Sequence, residues 1–353
     1  MFASPRRSLT ALRRRASSRK DDARVALKVG RALSNPYRPL MAHLVVTRRC
    51  NLSCGYCHEY DKVSPPVPLA DLKDRVRRLA ELRTVFVTLT GGESLLHPDI
   101  AELVAFVREQ GMVPVMNSNG YLLTRKRIEA LNTAGLFALQ ISVDNVIPND
   151  TTVKSLRPLK RKLQLLADFA EFRVRINTVL GTGDPEEALA VARAVVDLGF
   201  DAKVSLVRDE RGKVRKLDTR SREVYDQINA LGRRAPSYLS EDFQLALMNE
   251  GEVNWKCRAG ARYFTICEKG LVHFCESSHN SPGIPLSSYS IEDIVRAFHL
   301  RKSCAPTCAV AYAHQASRAD AWRAQAKEPT PITKQCWRET ELVQIGLSRP
   351  QAA

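Results

Sequence analysis

The sequence predicts an α/β fold, a partial (βα)6 TIM-like barrel that carries a small cysteine-rich C-terminal domain. Three observations predict it. From residue 40 six short β-branched runs alternate with longer segments of helical periodicity, the alternation stops near residue 236, and most of the cysteines lie beyond that point. Strands with nearly continuous apolar runs belong to parallel sheets buried on both faces and joined by right-handed crossovers. Six units fall short of the eight that close a barrel, so the barrel is incomplete.

The first strand is His43 to Thr47 (His-Leu-Val-Val-Thr), and the periodicity predicts a helix over 69–82 after it. Thr84 to Leu89 forms the second strand; the helix that follows, over 98–110, is announced by Pro98 and Asp99. Val113 to Asn117 comes third, with a helix over 124–134 opened by Thr124 as a cap. Leu139 to Val143 leads to a helix over 157–170, and Arg173 to Val179 to one over 185–199. The latter begins Asp184-Pro185-Glu186-Glu187: a cap, a first-turn proline and acids at the positive end of the helix dipole. Lys203 to Val207 and a helix over 219–235 close the series. Beyond it stand short β-like pieces, Arg262 to Cys267 and Leu271 to Cys275, and the turn formers Ser281-Pro282-Gly283. The expected division is a basic extension over 1–38, open to disorder, a barrel over 39–235 and a cysteine-rich domain over 236–353.

The 353 residues are 44% hydrophobic and 26% charged, which excludes disorder for the whole chain. Net charge is +16, and residues 1–36 hold ten basic side chains against Asp21 and Asp22, so half of it lies in the extension. That placement weakens the usual inference of a nucleic-acid partner and suits a solvated arm or peripheral contact with an anionic membrane. No run approaches the ~18 apolar residues of a membrane span and no secretory stretch precedes the barrel, so a cytoplasmic location is expected. The basic segments Lys154 to Lys162 and Lys203 to Arg220 read as solvated loops.

Nine cysteines, an odd number without an export signal, point to metal rather than disulfides. Cys50, Cys54 and Cys57 follow the first strand directly, at the strand end where parallel α/β folds place their chemistry. Structural zinc takes four ligands in a closed tetrahedron; three thiolates on an iron–sulfur cubane leave one iron free.

The Cys-x3-Cys-x2-Cys motif, with Tyr56 before its last cysteine, resembles that of the radical S-adenosylmethionine (SAM) superfamily, and the resemblance runs through residue 207. It implies a [4Fe-4S] cluster whose free iron chelates SAM and whose electron cleaves it to methionine and a 5′-deoxyadenosyl radical. Thr90-Gly91-Gly92-Glu93 after the second strand is similar to the family's Gly-Gly-Glu element, which implies that backbone and Glu93 receive the SAM ammonium. Ser118, Asn119 and Gly120 after the third strand, and Ser142 and Asp144 at the end of the fourth, are implied at the carboxylate and ribose. Arg175 and Asn177 are implied at the carboxylate end, and Tyr56 beside the adenine. Ser94 stands where many relatives have proline.

Cys257, Gly270 and Cys275 form a Cys-x12-Gly-x4-Cys pattern that resembles the opening of SPASM and twitch domains, which hold auxiliary iron–sulfur clusters. With Cys304 and Cys308 it implies one auxiliary [4Fe-4S] cluster. The alternative set uses Cys267 in place of Cys304, Cys336 is a candidate for a degenerate second site, and zinc is the alternative metal. The largest class with this two-part plan modifies peptides, as in ribosomal natural products. Small-molecule dehydrogenation or rearrangement is the runner-up, followed by RNA modification and a non-catalytic iron–sulfur protein. An electron donor such as flavodoxin or ferredoxin is implied. No catalytic acid or base is assigned; His58, His273 and His279 read as structural or surface imidazoles.

Overall fold

The computed structural model describes residues 21–57, 60–208, 213–214, 217–231, 242–278, 282–321 and 323. Residues 1–20, His58, His279 and Cys336 lie outside these, and so do the expectations attached to them.

Six parallel strands carry the barrel: β1 (Met41–Thr47), β2 (Phe86–Gly91), β3 (Val113–Ser118), β4 (Ala138–Ser142), β5 (Arg173–Leu180) and β6 (Asp201–Leu206). Among the described residues the sheet order is β6-β5-β4-β3-β2-β1-β7-β8-β9, with β7 (Tyr263–Ile266), β8 (Leu271–His273) and β9 (Ile284–Pro285) continuing it past β1. β7 pairs parallel with β1, Met41 opposite Tyr263 and Leu44 opposite Ile266. β8 then turns back antiparallel on β7. The C-terminal region therefore continues the barrel sheet instead of hanging from it.

The helices are α1 (21–33), α2 (Leu69–Glu81), α3 (Ile100–Glu109), α4 (Arg125–Ala134), α5 (Leu156–Phe169), α6 (Pro185–Asp197), α7 (Thr219–Leu231), α8 (Asp242–Glu250), α9 (Ile291–His299) and α10 (Ala311–Arg318). Those between the barrel strands bury a stripe at helical spacing, such as Leu72, Val76 and Leu79 of α2 and Leu159, Leu163 and Leu166 of α5. Thr124 caps α4 by accepting from Arg127 N–H at 3.2 Å, and Asp184 caps α6 through Glu186 N–H at 2.9 Å. Asp99 precedes α3 without a side-chain cap bond, so Pro98 and Asp99 mark the place but not the mechanism.

The second half of the 1–38 extension, read as open to disorder, is ordered where the structure describes it. Residues 21–33 are helical and Ala32 is fully buried. The reason is Arg262, fully buried before β7, whose Nη1 donates to the carbonyls of Ala32, Asn35 and Arg38 at 2.7–2.9 Å while Nε and Nη2 grip Asp320 at 2.6 and 2.8 Å. A single buried guanidinium thus ties the start of the chain, the seventh strand and the end of α10. Among the described residues no helix is long and apolar enough to cross a membrane.

Candidate active site

Cys50, Cys54 and Cys57 stand on a loop whose neck is closed by backbone bonds, Cys50 N–H to the Asp61 carbonyl at 3.0 Å and Asp61 N–H to the Arg48 carbonyl at 2.9 Å. Lys62 Nζ holds the Cys50 and Leu52 carbonyls at 3.1 and 2.7 Å. Donors also approach sulfur: Leu52 N–H lies 3.4 Å from Cys50 Sγ, Asn119 Nδ2 3.8 Å from the same atom, and Thr152 Oγ1 3.7 Å from Cys54 Sγ. A neutral thiol is a weak acceptor, so donors converging on sulfur fit thiolates bound to metal. Burial pushes the Cys50 thiol up, and a bound metal supplies the positive charge that its thiolate otherwise lacks.

The Gly-Gly-Glu element zips onto the root of this loop. Gly92 N–H donates to the Thr47 carbonyl and Glu93 N–H to that of Arg49, each at 2.9 Å. A Cβ on Gly91, whose φ is +147°, would lie 2.1 Å from the Thr47 carbonyl oxygen, and one on Gly92 2.3 and 2.5 Å from those of Arg48 and Arg49. What approaches these glycines is the backbone leaving β1, so their first duty is to let two strand ends meet beneath the cysteines. Thr90 and Gly91 face the cavity; Glu93 does not. The fully buried Glu93 carboxylate accepts from Ser118 Oγ at 2.6 Å, Asn119 N–H at 2.7 Å and Leu95 N–H at 3.0 Å, all neutral donors. Burial raises its pKa against those bonds. Asn119 Nδ2 reaches Asn51 Oδ1 at 2.8 Å, so Glu93, Ser118 and Asn119 together brace the cysteine loop against β3. Ser94, in the expected proline position, donates Oγ to the Asn117 carbonyl at 2.9 Å.

Asp144 is likewise internal. Its Oδ2 accepts from Thr152 Oγ1 at 2.7 Å and Tyr56 OH at 2.8 Å, its Oδ1 from Val179 N–H at 3.2 Å, and Lys154 Nζ stands 3.9 Å away. Lys154 also bonds Tyr56 OH and lies over its ring, 4.6 Å from the centroid. Burial lowers the Lys154 pKa, but Tyr56, Asp144 and Cys54 outweigh it and leave the ammonium well above its usual range. Burial, then the Asp144 charge, holds the Tyr56 phenol well above its usual value. The reading of Lys154 as part of a solvated loop is therefore corrected: nothing in the segment's composition reveals that Asp144 and Tyr56 wait for it.

These groups bound one end of a cavity of about 310 Å³. Its barrel wall is built from alternate residues, His43 and Val45 on β1, Gln140 and Ser142 on β4, Asn177 and Val179 on β5, as the period of two requires. Of the residues expected at SAM, Tyr56, Gly91, Ser142 and Asn177 line it. Asn177 accepts from Ser205 Oγ at 2.7 Å. Arg175 is exposed and lies off the cavity wall. The opposite wall comes from the C-terminal region: Cys267, His273, Glu276, Ala309 and Tyr312. Glu276 pairs with Arg208 and accepts from Tyr263 OH at 3.0 Å; His43 Nδ1 stands 3.6 Å from it. Burial drives His43 down to about 4, so it is neutral. Sequence reasoning missed this wall because a lone glutamate after a cysteine, or a tyrosine in an alanine-rich helix, carries no local signal.

Cys257, Cys275 and Cys308 pack in one group with Tyr263 and Val310, and the charges of Cys257, Cys275 and Cys304 all bear on Cys308. Burial pushes the Cys275 thiol up to about 12 and raises the Cys308 thiol as well. Cys267 instead lines the cavity, with Arg75 bonded to its carbonyl at 3.3 Å. Among the described residues no three His, Cys, Asp or Glu side chains converge as around a single ion. Cys257, Cys275 and Cys308, with Cys304 near enough to bear on Cys308, are the donors that would hold a cluster.

Residues 44–207 match the radical SAM superfamily. These residues form a radical SAM domain. Radical SAM enzymes use a [4Fe-4S] cluster and SAM, and the thiol loop and the cavity beside it are where this chain would hold them. The PqqA peptide cyclase of Bradyrhizobium diazoefficiens is 26% identical over 269 residues, 71% of this chain and 70% of the relative. The GTP 3′,8-cyclase of Aquifex aeolicus is 31% identical over 180 residues, 47% of this chain but 55% of the relative, so the chain spans about half of that protein. In fold, Streptococcus suis SuiB, solved with its precursor peptide SuiA, is similar at a TM-score of 0.57 and 15% identity, covering 78% of this chain and 71% of SuiB.

Proposed function

We propose that this radical SAM enzyme modifies a peptide, with Cys50, Cys54 and Cys57 holding the SAM cluster and Cys257, Cys275, Cys304 and Cys308 an auxiliary [4Fe-4S] cluster. The observation that carries this reading is the shared cavity: Tyr56, Cys57, Gly91 and Ser142 form one wall, Glu276, Ala309 and Tyr312 the other, so a substrate between them lies against Cys57 on one side and the residues that follow Cys275 and Cys308 on the other. The PqqA peptide cyclase relative, matched over most of its length, supports a peptide substrate. The GTP 3′,8-cyclase relative keeps a small-molecule substrate as the second reading.

When bound, the cluster and SAM supply a 5′-deoxyadenosyl radical able to take a hydrogen atom from an unactivated carbon. This chain's residues do the rest. Thr90, Gly91 and Ser142 present backbone and hydroxyl groups to the SAM end, and Asn177 stands beside them. Asp144 and Lys154 fix the Tyr56 ring, and the neutral wall of Gln140, Asn177 and Ser205 orients a substrate while keeping bulk water out. We further propose that the chain divides near residue 236 into barrel and auxiliary regions, works in the cytoplasm and draws its electron from a flavodoxin or ferredoxin.

The test is anaerobic reconstitution with SAM, dithionite and a panel of candidate precursor peptides, including any encoded beside the gene. Expected are 5′-deoxyadenosine and a peptide lighter by two hydrogens. Alanine at Cys50, Cys54 and Cys57 should remove about four irons and all SAM cleavage. Cleavage that survives in that variant refutes the site, and turnover of a nucleotide without any peptide product refutes the substrate class.

A further inference from the structure

The second thiol group holds an unexpected cation. Lys302, between α9 and Cys304, is 5% exposed. Its Nζ donates to the Cys257 carbonyl at 3.2 Å and to that of Ala297, and it lies 5.3 Å from the Phe274 ring centroid. Cys257, Cys304 and Cys275 are the titratable groups that would favour its charge if ionised, and Arg258 opposes it. Arg258 is itself 4% exposed, its guanidinium 3.8 Å from the Phe298 centroid and bonded to the Phe298 carbonyl.

The Lys302 ammonium, among carbonyls, a ring and neutral thiols, faces a large desolvation penalty, because carbonyl dipoles alone do not replace water around an ammonium. The penalty is offset if the thiols carry negative charge. A cubane with four cysteine thiolates is a net anion, and one lodged among these cysteines would sit against Lys302.

We infer that Lys302 is the electrostatic counterpart of the auxiliary cluster: its buried ammonium, clamped on the Cys257 carbonyl, raises that cluster's reduction potential and secures its retention. The inference rests on the auxiliary ligand set proposed above. Cluster potentials follow net charge, hydrogen bonding and exposure, and a fixed buried cation acts on the first directly. Lys302 is a positioning residue; it touches the ligand loop, not the substrate.

The full chain with Cys50, Cys54 and Cys57 replaced by alanine isolates the auxiliary cluster, whose iron content and midpoint potential are read by iron assay and EPR-monitored titration. In that background Lys302→Met should shift the reduction equilibrium at least tenfold toward the oxidised form, 59 mV for a one-electron couple, while Lys302→Arg stays near the parent. Should Lys302→Met fold without its iron, Lys302→Gln supplies the potential, and retention of iron in Lys302→Arg alone supports the charge argument. A potential unchanged in a fully loaded Lys302→Met or Lys302→Gln variant overturns the inference while leaving the ligand set intact. A parent that binds no iron overturns the ligand set and the inference with it.

Discussion

The buried pair of Asp144 and Lys154 offers a sharp quantitative test. At 3.9 Å and an effective dielectric constant near 20, two unit charges attract by about 4 kcal/mol. Asp144 is fully enclosed and the Lys154 side chain 16% exposed, so solvent screens only part of this. Replacing Asp144 by Asn keeps the shape and one acceptor for Thr152 and Tyr56, but strands the Lys154 ammonium in the interior. Loss of one partner of a buried pair costs about 3–5 kcal/mol. Lys154→Met should cost less, roughly 2 kcal/mol, because Asp144 keeps bonds from Tyr56, Thr152 and Val179. The double variant should therefore lose about as much as Asp144→Asn alone or less, a coupling of about 2 kcal/mol in a double-mutant cycle. Anaerobic urea denaturation of the four proteins measures it. Additive losses, within about 0.5 kcal/mol, would show that the two charges do not hold each other and that Tyr56 is fixed by something else.

Gly92→Ala, whose Cβ would sit 2.3 Å from the Arg48 carbonyl oxygen, should destabilise the chain by roughly 3 kcal/mol or more and impair iron loading; Gly30→Ala on α1, with nothing within 4 Å, should be neutral or slightly stabilising in the same melt. His43, driven by burial from 6.5 to about 4, is neutral in the fold, so its contribution is present above pH 6.5 and is lost as pH falls toward 4. That loss is at most about 3 kcal/mol, and a His43→Gln variant should show a correspondingly flatter fall of stability between those pH values; an identical slope would place the acid sensitivity elsewhere.

The barrel was legible because its strands are short continuous apolar runs and its helices bury stripes at regular spacing, both local signals. All six expected strands overlap the observed ones, Arg173 to Val179 against Arg173–Leu180 for example. The cysteine loop was legible from spacing alone. The roles of Glu93 and Asp144 were harder: their carboxylates are turned inward to brace Ser118, Asn119 and Tyr56, which spacing does not specify. The pairing of β7 with β1, the buried Lys154 and Lys302, and the Glu276 wall depend on partners far apart in the chain. Such contacts leave no periodic trace.

The pairing of β7 with β1 also changes what the second thiol group means. Cys257 and Cys275 flank β7 and β8, and β7 is hydrogen-bonded to β1, the strand that leads into the Cys50 loop. Tyr312, four residues past Cys308, reaches into the cavity against His43, their rings 4.4 Å apart. The ligand loops of the C-terminal region are thus rigidly coupled to the barrel mouth through a shared sheet and a shared cavity wall. Metal binding that orders Cys257, Cys275 and Cys308 would order Glu276 and Tyr312 as well, since folding and ligation of such sites are one equilibrium. On this geometry the C-terminal region shapes the cavity through residues that follow its cysteines, Glu276 after Cys275 and Ala309 and Tyr312 after Cys308.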